Sequence, residues 1–166
     1  MNEKLLQQYE SLMLKQNKNP DNDNELLFNK IERANEVFYK MQEKASQLEE
    51  EGNIDESIEI YEKMISYATD LPGPYNRLAI LYRKRKRYAD EIRVLERAVY
   101  VYENVVFVYR ADRISKLEKF KERLEKAKQL QKPTNDNIQK ESEQSWIGTS
   151  KKRFWSNWLV EKLKKR

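Results

Sequence analysis

The sequence predicts an all-α fold of antiparallel helix-turn-helix units, and three observations carry that prediction. Glycine and proline are scarce, at 3 and 4 of 166 residues, too few turn formers for a β-rich chain. Apolar residues recur every three or four positions, the period of one helical face. Charged residues make up 37% of the chain and occupy the remaining positions, as solvated helix faces require.

The elements follow in order. Residues 3–16 form a short amphipathic helix with Leu5, Leu6, Tyr9, Leu12 and Met13 on one face, and Pro20 within NKNPDNDN ends it. Asp23 or Asn24 caps a long helix running to about Glu51. Its stripe is Leu27, Ile31, Ala34, Val37 or Phe38, Met41, Ala45 and Leu48. Gly52-Asn53 breaks it, since glycine takes the left-handed cap conformation at no steric cost. A helix at 54–69 presents Ile54, Ile58, Tyr61, Met64 and Ile65, and Asp70-Leu71-Pro72-Gly73-Pro74 stops it. Either proline suits the first turn of the next helix, at 74–86, because its missing N–H has no helical partner there.

Helices at 88–103 and 106–131 complete the domain, the last showing Ile114, Leu117, Phe120, Leu124, Ala127 and Leu130. Val99 to Tyr109 is rich in β-branched and aromatic residues and would also suit a strand. No second strand exists to pair with it, so it is assigned to helix, broken near Asn104. Lys132 to Ser145 is polar, contains Pro133 and predicts a disordered linker. The chain thus divides into 1–22 (helix and loop), 23–131 (helical domain), 132–145 (linker) and 146–166 (tail).

Composition excludes much chemistry. The chain has no cysteine and no histidine, which removes disulfides, thiolate and imidazole metal ligands, and nucleophile pairs that need either residue. Gly52, Gly73 and Gly148 stand too far apart for a phosphate-binding loop. Glu49-Glu50-Glu51 lacks the alternating ligands and central glycine of a calcium loop. Neither catalysis nor a cofactor nor a metal is expected. The opening residues lack the continuous apolar core of a signal peptide, and no run approaches a membrane span, so a cytoplasmic location is expected.

An offset of 34 residues pairs Met41 with Tyr75, Ala45 with Ala79, Leu48 with Tyr82 and Ile54 with Tyr88. It also pairs Ile58 with Ile92, Tyr61 with Leu95, Met64 with Ala98 and Ile65 with Val99. The second unit reads Tyr75-x2-Leu78-Ala79-x2-Tyr82, then Glu91-x3-Leu95 and Ala98. On these residues, the stretch 38–104 resembles the tetratricopeptide repeat family. The first unit is more degenerate, with Met41, Lys44, Ala45 and Leu48 on its first helix. Lys44 and Glu91 stand where the family has apolar or small residues. Tyr109 continues the phase, but Ile114 and Leu117 slip by one. The resemblance implies two repeat units, with the flanking long helices acting as caps; pairing of two chains through an end face is the alternative.

The resemblance also implies a groove lined by the first helix of each unit, holding a protein or peptide partner. Carried over, its residues are Gln42, Ser46, Glu49 and Glu50 from the first unit, and Asn76, Ile80, Arg83 and Lys84 from the second. Ordinary solvated faces are the plainer reading of the same positions. Arg83-Lys84-Arg85-Lys86-Arg87 is the densest charge run and suits phosphate, nucleic acid or an acidic partner. The tail holds all three tryptophans. As a helix it would share Phe154 or Trp155, Trp158, Leu159 and Leu163 on one face, among Lys151, Lys152, Arg153, Lys162 and Lys165. Such a segment suits an anionic membrane surface, an acidic groove on a partner, or the chain's own repeat groove. The expected function is an adaptor; nucleic-acid association and membrane anchoring are its alternatives.

Overall fold

The asparagine at the start of the second helix shows how local chemistry sets the architecture. Asn24 Oδ1 accepts the Leu27 N–H at 3.0 Å, satisfying one of the donors a helix start leaves unpaired. A computed structural model describes residues 2–21 and 24–131. Within them lie α1 (Asn2–Lys18), α2 (Glu25–Glu50), α3 (Ile54–Ser66), α4 (Pro72–Lys84), α5 (Tyr88–Asn104) and α6 (Arg113–Gln131). Successive helices pack antiparallel, and no strand occurs among the described residues. The linker and the tail expected at 132–145 and 146–166 lie outside them.

The turns after α2 and α4 close with the same pair of bonds. After α2, Gly52 has φ +85°; its N–H donates to Glu49 O at 3.2 Å, and that of Asn53 to Leu48 O at 2.8 Å. After α4, Lys86 has φ +57°; its N–H donates to Arg83 O at 3.0 Å, and that of Arg87 to Tyr82 O at 2.9 Å. Each residue of the second turn stands 34 positions after its counterpart in the first. The next helix starts match too: Ser57 N–H to Asn53 O and Glu91 N–H to Arg87 O, both 3.1 Å. One sequence period has become one backbone geometry.

Three boundaries differ from expectation. α3 ends at Ser66 rather than 69 because Ala68 turns left-handed, at φ +58°. α4 begins at Pro72, which takes the first helical position. The last helix starts at Arg113 rather than 106, and the chain between is an irregular loop. Its backbone is satisfied by distant side chains. Asn17 of α1 donates to Val105 O at 2.9 Å and accepts from the Val108 N–H at 3.1 Å. Arg110 donates to both the carbonyl and a carboxylate oxygen of Asp70, each at 2.9 Å. Arg113 caps α5 by donating to Tyr102 O at 2.8 Å and Glu103 O at 2.6 Å.

The core is aromatic where helix pairs meet. Tyr9 and Phe38 stack edge to face at 5.0 Å, and Phe120 lies 6.0 Å from Tyr75 and 5.2 Å from Tyr102. Tyr109, though in phase with Tyr75, is exposed, and Phe120 fills the space instead. α1 belongs to the same core. Leu6, Tyr9 and Met13 are buried, each contributing about 1.5–3 kcal/mol relative to exposure. Beside them Glu3, Glu10 and Asn17, one heptad apart, bind Lys63 at 3.3 Å, Arg97 at 2.9 Å and the α5–α6 loop respectively. The helix therefore crosses α3, α5 and the loop in succession.

Candidate partner-binding face

Side-chain bridges link α2 to α4 and α4 to α6. Arg77 of α4 donates its Nε to Glu49 of α2 at 3.0 Å, with a second contact from its Nη2. Arg123 of α6 donates to the Asn76 side-chain oxygen of α4. Long arginine side chains thereby connect α2, α4 and α6 along one side. Along the other, Arg93 of α5 reaches Glu62 of α3 at 3.1 Å and Arg97 reaches the Ile65 carbonyl at 3.3 Å.

The residues expected in a groove divide by role. Ser46 is exposed and sits 3.3 Å from the Tyr61 hydroxyl. Glu50 and Lys84 are exposed and make no ion pair among the described residues. Ile80 and Asn76 are half-buried. Gln42 is half-buried as well, and its carboxamide oxygen is turned inward with no hydrogen-bond partner. It lies against Gly73, where a Cβ would overlap that oxygen, so glycine permits the approach of α4. Burial pushes the Glu49 carboxyl up. Hydrogen bonds from Arg77 and Tyr61 and the charges of Arg77 and Lys84 outweigh it and hold the group below the ordinary glutamate value.

Arg83 is drawn elsewhere. Its Nε donates to Glu91 of α5 at 3.1 Å, and its Nη2 lies 2.6 Å from the other carboxylate oxygen, close but without hydrogen-bond alignment. Glu91 is wholly buried, at 0% exposure. The rest of the basic run is dispersed. Arg85 pairs with Asp55, and Arg87 pairs with Asp90 at 2.7 Å while its guanidinium lies 4.7 Å from the Tyr82 ring centre. Lys86 forms the left-handed turn. Three of the five cations are thus held by acids of the same chain. The tail residues Lys151, Lys152, Arg153, Phe154, Trp155, Trp158, Leu159, Lys162 and Leu163 lie outside the described residues.

Sequence reasoning missed the α6 contribution. Lys116, Lys119 and Arg123 line a pocket of about 330 Å3 with Asn76, Phe120 and Glu122. Their spacing of three and four puts them on one helical face, but the repeat resemblance makes that helix a cap and not part of the groove. Burial, and then the nearby Arg83 charge, lower the Arg123 pKa from the ordinary arginine value, against the pull of Glu91. Arg77 was missed because the carried-over positions named its neighbour Asn76.

Among the described residues, no helix is long and apolar enough to cross a membrane, and no group of carboxylates is placed to hold a metal ion. No family model, curated protein or solved structure matches the chain.

Proposed function

We propose that this chain is a tetratricopeptide-like adaptor, without catalytic activity, that binds a protein or peptide through the face of α2, α4 and α6. The observation that carries the reading is the recurrence of one turn geometry 34 residues on, at Gly52 and Lys86, the period of a helix-turn-helix repeat. A repeat of this kind sets its first helices side by side and offers their outer positions to a partner. Ser46, Glu49 and Arg77, Ile80 and Lys84 are the contact residues on this reading, with Lys116, Lys119 and Arg123 extending them. Nucleic-acid association through Arg83–Arg87 has less support, because most of that charge is already compensated.

The test is affinity capture from nuclease-treated lysate with the full chain and surface variants. A protein retained by the native chain and by Tyr100→Asp on α5, but lost with Ile80→Asp and Ser46→Arg, bears out the reading. Retention by all variants, or loss on nuclease treatment alone, rejects it.

A further inference from the structure

The pocket that α6 forms with Asn76 of α4 gathers more cations than carboxylates among the described residues. Lys116, Lys119 and Arg123 line it, and none of the three has a carboxylate in ion-pair contact among the described residues. One carboxylate, Glu122, shares the lining and pairs with Lys126 at 2.7 Å; Asp112 pairs with Arg110 at 2.7 Å and Glu91 with Arg83 at 2.6 Å. Arg123 is half-buried and donates instead to the neutral side chain of Asn76. A partly desolvated guanidinium with no carboxylate in ion-pair contact among the described residues is costly to hold, and it is the expected state of a site whose anion arrives with a ligand.

We infer that this pocket binds the phosphate of a phosphorylated serine or threonine on the partner polypeptide. The inference rests on the partner-binding reading of the same face. Charge favours a dianion over a carboxylate: three cations against Glu122 leave the lining an excess of two, 3 − 1, of which a carboxylate would compensate half. A phosphate monoester carries about −1.5 to −2 at neutral pH and three strong acceptor oxygens. The planar fork of Arg123 matches two of those oxygens, the lysines supply flexible point charges, and the Asn76 amide adds a neutral donor. Phe120 at the pocket floor meets the side-chain carbon that bears the phosphate. A volume of about 330 Å3 suits one such side chain, and falls at the small end of ligand sites.

The experiment is a titration of the isotopically labelled full chain, followed by NMR at constant ionic strength. The probe is the capped tripeptide Gly-phosphoserine-Gly; its Glu and Ser counterparts and inorganic phosphate are the comparators. Saturable shifts of the Arg123 Nε–H and Asn76 side-chain amide are expected, with the phosphopeptide about tenfold tighter than the Glu peptide. Arg123→Met abolishes the Asn76 shift while amide signals of α2 and α3 keep their positions; Tyr100→Asp, on α5, leaves both shifts in place. Equal binding of the Glu peptide overturns the dianion assignment. Inorganic phosphate binding as tightly as the phosphopeptide overturns the polypeptide source, and shifts that survive Arg123→Met overturn the site. If Arg123→Met still captures the lysate partner while the phosphopeptide fails to bind, this inference falls and the adaptor reading stands.

Discussion

Arg83 and Glu91 meet across the α4–α5 turn, and the pair is lopsided: the carboxylate is wholly buried while the arginine side chain keeps 40% of its exposure. Glu91 occupies the position that its counterpart Ser57, also buried, holds with a bond to the Ile54 carbonyl at 2.9 Å. A charge there is tolerable only because Arg83 folds back over it.

Removing the arginine alone therefore strands a buried carboxylate. Arg83→Met is expected to cost about 2–3 kcal/mol, less than the roughly 3–5 kcal/mol of a pair buried on both sides, because the arginine is partly exposed. The double variant Arg83→Met, Glu91→Ala should recover most of it, since no unpaired charge remains. Urea denaturation followed by circular dichroism measures both. Equal stability of Arg83→Met and the native chain would show that Glu91 is satisfied in some other way.

The two left-handed turns make opposite predictions. Lys86 bears the cost of a side chain at φ +57°, whereas Gly52 at +85° has no atom within 4 Å of where a Cβ would stand. Lys86→Gly should stabilise by about 0.5–1 kcal/mol, and Gly52→Ala should destabilise by about 1 kcal/mol. Thermal melts of the two variants give the signs. Two changes of the same sign would contradict the equivalence of the turns.

Asn17 serves the α5–α6 loop across most of the chain. Asn17→Ala withdraws the donor from Val105 O and the acceptor from the Val108 N–H, and about 1–2 kcal/mol of stability should go with them. Hydrogen exchange at Val108 should quicken, with the middle of α4 unchanged. Exchange that rises evenly throughout would mean that α1 acts by packing alone.

Glu49 gives a dependence on pH. Its carboxyl is held below the unfolded value of 4.5, so its contribution is present above that pH and is lost as pH falls through the lower folded value. The stability difference between the native chain and Glu49→Gln should be constant from neutral pH to about 5 and shrink below 4.5. Urea midpoints across that range test it; a difference that grows on acidification contradicts the Arg77 pairing.

The legible parts of the fold were those set by neighbouring residues. Gly52, a cap at Asp23 or Asn24 and the apolar stripes each act within a turn or two of chain, so spacing placed them, and the structure puts the cap at Asn24. The start of α6 was not legible, because the bonds that hold the chain open from Val105 to Val108 come from Asn17. Tyr109 kept the repeat phase yet stays exposed, and Phe120, out of phase, packs on Tyr75. Phase records ancestry or chance; packing depends on where a loop returns the chain.

For the site, the helical face could be carried over but the pairing could not. Arg83 was carried over as a groove residue, but its pairing with the buried Glu91 was not legible. Lys116, Lys119 and Arg123 acquire meaning only beside Asn76 of another helix, a juxtaposition that no local pattern encodes.

The most direct measurement of the central claim is photo-crosslinking from single positions of the full chain in lysate. A photoreactive phenylalanine would replace Ser46 or Ile80 on the α2–α4–α6 side, or Glu59 or Tyr100 on the opposite side. The account predicts adducts to the same protein from positions 46 and 80 and none from 59 and 100. Adducts chiefly from 59 and 100, or of equal yield from all four, would contradict it.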